Sequence, residues 1–260
     1  MNKQKKIIFI GAHPDDCEIC FGGTAARLVR AGHLVKYVSC CNGDKGHLTM
    51  PGPELAARRH TESLASCRIG GISEYENLGV PDCELMPTLE LRQRIIRIIR
   101  QFTPDLVISH RLCDYHADHR AAGQLVQDAA YLVMVPHCCP DTPIPPQNPV
   151  FACCYDEFTD PRPFRIDAAI PIDESADTKL QMLDCHASQF YEWLAWELGV
   201  NDFYSSGLDK RQWLIDNWLE TESHTIAKLA GLTSRYAEAF ELSPYGRKIS
   251  LQEFNALLNP

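Results

Sequence analysis

The stretch Lys6-Ile7-Ile8-Phe9-Ile10-Gly11-Ala12-His13-Pro14-Asp15-Asp16 passes from a continuous apolar run to a cluster of polar residues. An apolar run without alternation is typical of a strand that is buried on both faces of a parallel sheet. The glycine and alanine end this run, so the polar residues are expected at the carboxyl end of the strand. In α/β sheets this is the edge at which ligands bind.

The rest of the first half repeats this alternation of strand and helix patterns. Strands are predicted at 34–41, 75–78 and 105–110, and helices at 22–31, 53–69, 88–102 and from about 117 to 134. Such alternation predicts the α/β class: a doubly wound, mostly parallel, Rossmann-like sheet with helices on both faces.

The pattern after Pro136 is weaker. It indicates a Pro-rich loop at 136–149, strands at 150–155 and 164–170, and helices at 175–199 and 207–229. We interpret 1–260 as a single domain, in which 1–136 is the Rossmann-like half with the functional site. The segment 137–260 adds the remaining strands and the C-terminal helices.

Composition excludes several classes of function. Hydrophobic residues make up 45% of the 260 residues, and the net charge is −9 without any block of Lys or Arg. An acidic chain is a poor partner for nucleic acid or an anionic membrane, so a small, neutral or cationic substrate is expected. No stretch approaches the roughly 20 apolar residues of a membrane span, and the apolar run after the basic residues 1–6 is too short for a signal peptide. We expect a cytoplasmic protein and leave homo-oligomerisation open.

The chain contains twelve cysteines, many of them inside apolar runs. In a reducing compartment such residues stay as thiols and pack like small hydrophobic side chains. Cys17 and Cys20 form a C-x-x-C pattern, which also occurs in redox proteins. Because this pattern overlaps the stronger metal-ligand pattern described next, a redox role is the minor alternative.

Two polar segments that follow predicted strands concentrate His and Asp. The first is 13–16, and the second runs from His110 through 114–119. In the common strand order 3-2-1-4-5, the first and fourth strands are neighbours at the point where the order reverses. We therefore expect the two segments to meet, although about a hundred residues separate them along the chain.

The residue types in these segments favour metal-assisted hydrolysis. His13 and Asp16 are three residues apart, as are His116 and His119, and each pair can aim at one point. Two His and one carboxylate, with one position left for water, form a catalytic zinc set. A further carboxylate, Asp15, is placed to take a proton from that water. Each residue alone could merely cap backbone groups, but two independent clusters that converge on one crevice favour a functional site.

The two motifs identify a family resemblance. His13-Pro14-Asp15-Asp16, followed by Glu18-Ile19 and Gly22-Gly23-Thr24, together with His116-Ala117-Asp118-His119, resembles the LmbE-like (PIG-L) de-N-acetylases. Weaker similarities are Asn42-Gly43-Asp44-Lys45-Gly46, Arg59 with Glu62, Pro81-Asp82 and His186-Ala187-Ser188-Gln189. The resemblance implies a zinc-dependent deacetylase, a hydrolase of linear amides, that acts on an N-acetylglucosamine-like sugar or glycoside.

The resemblance also implies a role for each matching residue. His13, Asp16 and His119 would bind one Zn²⁺ per chain, with Fe²⁺ as the alternative metal, and Asp15 would be the general base. His116, paired with Asp118, would be the auxiliary acid, and Arg59 would contact substrate. Cys17 stands where the family usually has an acidic residue. An oxyanion-assisting aromatic residue would come from Tyr155 or Phe158.

Several alternatives stay open at this stage. The enzyme could act on a non-sugar or thiol-conjugate amide, because the motifs do not identify the substrate. Two His and one carboxylate also occur in non-haem iron oxygenases, and a sugar-binding protein could retain such a site. The aromatic segment 190–196 is either a platform for a sugar ring or, more simply, core packing. We expect the loops 43–53 and 136–149 to supply the pocket walls.

Overall fold

A computed structural model describes residues 4–259, so the first three residues and the last one lie outside the description. Within it, seven strands form one sheet: β1 (Lys6–Gly11), β2 (Leu34–Cys41), β3 (Glu74–Val80), β4 (Leu106–Ser109), β5 (Val150–Cys154), β6 (Ala168–Pro171) and β7 (Ala237–Gly246). Their order is β3-β2-β1-β4-β5-β7-β6. The strands from β3 to β5 are parallel, and β7 is antiparallel to both of its neighbours. The predicted mostly parallel sheet is confirmed.

Four long helices connect the parallel strands: α1 (Asp16–Arg30), α2 (Gly52–Gly70), α3 (Leu89–Phe102) and α4 (Ala117–Leu132). The later part of the chain carries shorter helices: α5 (Ala176–Asp184), α6 (Leu194–Glu197), α7 (Lys210–Leu214), α8 (His224–Leu229) and α9 (Leu251–Leu258). A 3₁₀ turn (Asp173–Ser175) and two π-helical segments (Ser188–Trp193 and Ile215–Ser223) complete it. Within residues 4–259, we find no helix that combines the length and the apolar character needed to cross a bilayer.

Apolar layers cover both faces of the sheet. Ile8 and Ile10 of β1 pack with α3 and α4 on one face, while Ile7 and Phe9 pack with α1 on the other. All four side chains are fully buried. This two-sided burial explains why β1 is continuously apolar rather than alternating.

Helix α1 begins at Asp16, six residues before the predicted start at 22. Gly22 and Gly23 lie inside the helix rather than at its start. A Cβ atom on Gly23 would lie 2.8 Å from the Cβ of Ile172, so the glycine permits close packing of the helix. Because of this earlier start, Asp16 lies in the first turn of α1 directly beyond β1.

The second half differs more from its prediction. The strand predicted at 164–170 is present only as Ala168–Pro171, and the helices predicted at 175–199 and 207–229 are broken into short α-helical and π-helical pieces. β7 and α9 were not predicted. β7 joins β5 to β6, so one sheet contains strands from both halves of the chain.

Candidate metal centre and active site

The two polar segments meet at the carboxyl edge of the sheet. β1 and β4 are parallel neighbours, with Ile10 opposite Ser109. The segment after β1 therefore lies beside the segment after β4, and His13 Nδ1 is 3.2 Å from His119 Nε2. The sheet order explains this approach, because only these two strands flank the point where the order reverses.

Three side chains present metal-binding atoms to one another. Besides the contact between the two His residues, His13 Nδ1 lies 3.8 Å from Asp16 Oδ2, and His119 Nε2 lies 3.5 Å from Asp16 Oδ1. Tetrahedral zinc with bonds of about 2.0–2.1 Å holds its ligand atoms roughly 3.3 Å apart. The donor types suit zinc, and the two nitrogens have this spacing, whereas the distances to Asp16 involve its two different oxygens. Two neighbouring groups have ligand atoms that all lie within 4.8 Å of one another: His13, His116 and His119, and Asp16, His110 and His119.

Hydrogen bonds to neighbouring carboxylates orient both imidazole rings. His13 Nε2 lies 3.1 Å from Asp118 Oδ2, and His119 Nδ1 lies 3.1 Å from Asp114 Oδ2. Such pairs of a carboxylate and a His fix the tautomer and orientation of metal-binding His residues. They leave His13 Nδ1 and His119 Nε2 available on the side where the two rings face each other.

Asp16 is held from the opposite side. Its Oδ2 accepts hydrogen bonds from the amides of Ala12 (2.8 Å) and His13 (2.7 Å) and lies 3.1 Å from His110 Nε2. Burial by itself would raise the pKa of Asp16, but the charges of His119 and His110 outweigh it and hold that pKa well below its usual value. Asp16 thus stays a carboxylate, the form that binds metal.

The sequence interpretation assigned no role to His110. It is the first residue after β4, in hydrogen-bond reach of Asp16, and its ring stacks on that of His119 at 4.3 Å between centroids. Burial lowers the pKa of His110, but the charge of Asp16 and its hydrogen bond raise it by more. The pKa of His110 is therefore raised. Its position directly after a strand that neighbours β1 was the available signal.

Asp118 has a different hydrogen-bond partner from the one predicted. His116 Nδ1 comes no closer than 3.9 Å to Asp118 Oδ2, whereas His13 lies within hydrogen-bond distance of this oxygen. The amides of Cys83 (2.6 Å) and Leu85 (3.2 Å) also donate to the Asp118 carboxylate. Burial opposes ionisation, but His13 and the amide of Cys83 lower the pKa of Asp118 to about 2.

His116 is the residue that caps the start of α4. Its Nδ1 accepts a hydrogen bond from the amide of Asp118 at 3.1 Å, so this cap turns the ring away from the carboxylate. The ring instead packs edge-on against His13, with 4.6 Å between centroids. Burial, together with the charges of His13 and His119, lowers the pKa of His116.

Asp15 forms a buried ion pair with Arg59. Asp15 Oδ1 accepts a hydrogen bond of 2.6 Å from Arg59 Nη2, and the two residues are only 4% and 2% exposed. Arg59 Nη1 also lies 3.8 Å from Asp82 Oδ2. Asp15 borders the cavity described below, but Arg59 lies behind it and does not line that cavity. Contact of Arg59 with substrate stays a prediction, and its observed contacts are those of a positioning residue.

Residues of the weaker motifs form hydrogen bonds that connect the segments around the site. Asp82 Oδ1 accepts a hydrogen bond of 2.8 Å from the amide of Gly43, which joins the turn after β2 to the turn after β3. The hydroxyl of Ser188 donates to Glu62 Oε2 at 2.5 Å, which joins the late motif to α2. Gln189, next to this serine, lines the cavity.

A cavity of about 620 Å³ opens beside the metal-binding group. His13, Asp15, Asp16 and His119 line it, and His116 does not. Its other walls come from 154–158, 189–198 and 217–225. No residue of loops 43–53 and 136–149, which the structure describes in full, lines the cavity, so the prediction that they form its walls was wrong. Both aromatic candidates, Tyr155 and Phe158, line the cavity.

The aromatic segment 190–196 divides between core and surface. Phe190 and Tyr191 are buried in the core under the C-terminal helices. Trp193 and Trp196 stack on each other with 5.4 Å between centroids, and neither lines the cavity. Core packing therefore accounts for the first part of the segment.

Cys17 is a core residue rather than part of the cavity. It is 1% exposed, and its Sγ lies 3.9 Å from the carbonyl oxygen of Val38. All twelve cysteines are free thiols, including both members of the C-x-x-C pattern. Burial raises the pKa of Cys17 well above its usual value, which favours the unreactive thiol.

Fold and site together define a Rossmann-like α/β protein with a candidate metal-binding group at the carboxyl edge of its sheet. Residues 8–130 match the family model described as PIG-L, GlcNAc-PI de-N-acetylase. Diacetylchitobiose deacetylase of Thermococcus kodakarensis is 32% identical over 203 residues, which are 75% of this chain and 75% of the relative. The chain therefore belongs to the PIG-L (LmbE-like) family of deacetylases, as the motifs predicted.

Two further comparisons agree with this assignment. A probable N-acetyl-alpha-D-glucosaminyl L-malate deacetylase 2 of Bacillus anthracis is 28% identical over 200 residues, covering 73% of this chain and 84% of that protein. The structure of N,N'-diacetylchitobiose deacetylase from Pyrococcus horikoshii superposes with a TM-score of 0.75 at 26% identity, covering 92% of this chain and 84% of that one.

Proposed function

We propose that this protein is a zinc-dependent hydrolase that removes the N-acetyl group from an amino sugar or its glycoside. The products are acetate and a free amine. The observation that carries the proposal is the approach of His13 to His119, and of each to Asp16, beside Asp15 in a cavity of a size suited to a small sugar. Membership of a deacetylase family supports the same reaction.

In this proposal His13 Nδ1, Asp16 and His119 Nε2 hold the metal. A bound zinc ion polarises an amide carbonyl and brings the pKa of a bound water to about 7. Asp118 and Asp114 keep the two rings in the tautomers that metal binding requires. His110 and two backbone amides keep Asp16 ionised and fixed.

Asp15 acts as the general base. Arg59 holds one of its oxygens, which leaves the other oxygen to accept a proton from the attacking water. The backbone hydrogen bond to His116 Nδ1 places the proton of the neutral ring on Nε2. His116 is outside the lining of the cavity, but its partly exposed ring packs against that of His13 at the metal-binding group. From there it would donate a hydrogen bond from Nε2 to the developing oxyanion, or a proton to the departing amine.

Zinc is the proposed metal, with iron as its alternative, because the donor set suits both. An oxygenase would not need a base and an acid beside the metal, so hydrolysis is favoured over oxygen chemistry. A non-sugar amide and a sugar-binding role without turnover remain the competing functions. Cytoplasmic location, self-association and the division of the domain near residue 136 stay predictions.

The substitution Asp15→Asn tests the proposed chemistry. Asparagine keeps the size of the side chain, so the buried Arg59 retains a hydrogen-bond acceptor, but the base is lost. With zinc-loaded protein and N-acetylated amino sugars, kcat should fall by about 10²–10⁴-fold while the zinc content stays near one per chain. Asp141→Asn, at an exposed ion pair with Arg97, is the matched control and should leave kcat unchanged.

Acetate should be released equally well without oxygen, which separates hydrolysis from iron-dependent oxidation. Binding of N-acetyl sugars by zinc-loaded protein without any acetate release would instead support the sugar-binding alternative. Full activity of Asp15→Asn would contradict the assignment of the base.

A further inference from the structure

An irregular helix supplies part of the cavity wall. Asn217, Trp218, Thr221 and Glu222 of the π-helical segment Ile215–Ser223 line the cavity, together with Thr225 of α8. π-Helical turns occur frequently at functional sites, where their altered geometry redirects side chains. The proposed catalytic steps use none of these residues, although they share the cavity with the metal-binding group.

Glu222 and Glu157 differ from the other acidic side chains of the cavity, because within residues 4–259 their carboxylates have neither a hydrogen-bond donor nor an ion-pair partner. Glu157 is exposed, whereas Glu222 is half-buried. Burial raises the pKa of Glu222 to about 7; the charge of Lys179 opposes this rise, and the charges of Glu238 and Glu157 add to it. This half-buried residue lines the cavity. A carboxylate left without a partner in a ligand cavity is therefore available to a ligand.

More acidic than basic side chains line the cavity, and most of the acidic ones are paired. The pairs are Asp15 with Arg59, Asp16 with His110, Asp114 with His119 and Asp156 with Arg111. Of the lining residues that the structure describes, Arg111 is the only arginine or lysine, and Asp156 binds its guanidinium through both carboxylate oxygens. Arg111 Nη2 also donates to the carbonyl oxygen of Phe158 at 2.8 Å. Arg111 is thus committed to the protein and does not offer an anion a free partner.

We propose that Glu222 is a specificity-determining residue that selects substrates in which the group attached to the N-acetylated sugar is neutral or cationic. This inference rests on the proposed deacetylation. An ionised Glu222 accepts hydrogen bonds from sugar hydroxyls or an ammonium group, and it repels a carboxylate or phosphate in the same position. The nearby Glu157 and the committed Arg111 act in the same direction.

Three disaccharides that differ in one substituent test the selection. Each carries N-acetylglucosamine β-linked to a second sugar, which is glucose, glucosamine or glucuronate. The kcat/KM for acetate release is measured with zinc-loaded protein at about pH 8, above the pKa of Glu222. We expect the glucuronate compound to be disfavoured by about tenfold or more relative to the glucose compound, mainly through KM.

Glu222→Gln should bring this ratio to within about threefold, whereas Glu222→Asp should keep most of the discrimination because it keeps the charge. Glu90→Gln changes the net charge equally at an exposed position of α3 outside the cavity, and it should retain the wild-type ratio. Zinc content and Tm are measured for each variant, so that a misfolded protein is recognised.

The inference is overturned if wild type uses the glucuronate and glucose compounds equally well, or if Glu222→Gln keeps the wild-type ratio. If none of the disaccharides releases acetate, the proposed function has failed rather than the selection. The selection is then tested by the ratio of Kd values for the same compounds in calorimetry, with wild type and Glu222→Gln. Equal Kd ratios in the two proteins would overturn it there as well.

Discussion

The two sides of the cavity are built in different ways. The metal-binding side comes from residues that stand directly beyond β1 or in the first turn of α4, and sheet register fixes them. The remaining walls come from 154–158, 189–198 and 217–225, which are mainly loop, short helix and π-helix. The proposed catalytic residues, which must be positioned precisely, are held by regular strands and helices. The residues proposed to surround the substrate belong to irregular segments. The difference suggests that reaction and specificity can vary separately in this fold.

Metal removal should produce the largest effect on the regular side. We expect a chelator to lower kcat by at least about a thousandfold, because both the polarised carbonyl and the activated water depend on the metal. Circular dichroism should change little, since both apolar layers of the sheet form without metal ligands. Added zinc should restore activity, whereas magnesium should not, because it prefers oxygen ligands to imidazole. Activity that persists without metal would contradict the proposed site.

The second effect concerns the carboxylates behind the ligands. Asp118→Asn should weaken zinc binding by about 10–100-fold, because the asparagine no longer fixes the tautomer of His13 with a charged acceptor. A competition titration against a chromophoric chelator measures this change. Asp128→Asn, on the same helix α4 but paired with Arg92, is the control and should bind zinc normally. Equal zinc affinities for the two variants would show that Asp118 does not act through His13.

The same contrast explains what the sequence could predict. Long apolar runs such as Lys6–Gly11 and Leu34–Cys41 are stable only in the interior of a parallel sheet, so the strand order could be predicted. That order in turn predicts the meeting of His13 with His119. The hydrogen-bond partners of the site residues could not be predicted. Asp118 approaches His13 rather than His116, because the amide of Asp118 itself occupies His116 Nδ1. Such choices depend on hydrogen bonds that residue spacing alone does not determine.

The secondary structure of the C-terminal half was predicted less accurately, because it too depends on tertiary contacts. Patterns for long helices at 175–199 and 207–229 were recognisable, but tertiary packing breaks them into short pieces with π-helical turns. The side chains that such turns direct into the cavity, Glu222 among them, therefore carry no periodic signal. β7 was missed because it is a single antiparallel strand inserted between β5 and β6 after a long helical region.

The third effect is the loss of folding stability that the ionised Glu222 should cause. Because the pKa of Glu222 in the folded protein is about 7, against an ordinary value of 4.5, the folded state binds more protons than the unfolded state between these values. Stability should therefore fall as pH rises through this window and stay low above it. Glu222→Gln should be more stable than wild type at about pH 8, by at most about 3 kcal/mol. The two proteins should be similar near pH 4, where Glu222 is protonated in both states.

Urea unfolding at the two pH values measures this difference, and Glu90→Gln should show no such pH-dependent gain. If Glu222→Gln gained no stability over wild type at about pH 8, the ionised carboxylate would be stabilised in the folded protein rather than destabilising it. In that case the Glu222 carboxylate would have partners, as the carboxylates on the metal-binding side do.

The smallest effect concerns the contact between the two halves. Gly22 and Gly23 are neighbours in α1, and both face the C-terminal half. A Cβ on Gly23 would lie 2.8 Å from the Cβ and Cγ2 atoms of Ile172, a branched side chain that is fully buried. A Cβ on Gly22 would lie 3.3 Å from Cγ of the buried Lys179, a longer approach than that of Gly23 to Ile172. Gly23→Ala should therefore lower the free energy of unfolding by about 1–2 kcal/mol, while Gly22→Ala should be nearly neutral because helix propensity offsets a small shift. Equal losses of stability in urea unfolding would contradict this prediction. They would show that the packing of α1 against Ile172 can shift to accommodate a methyl group.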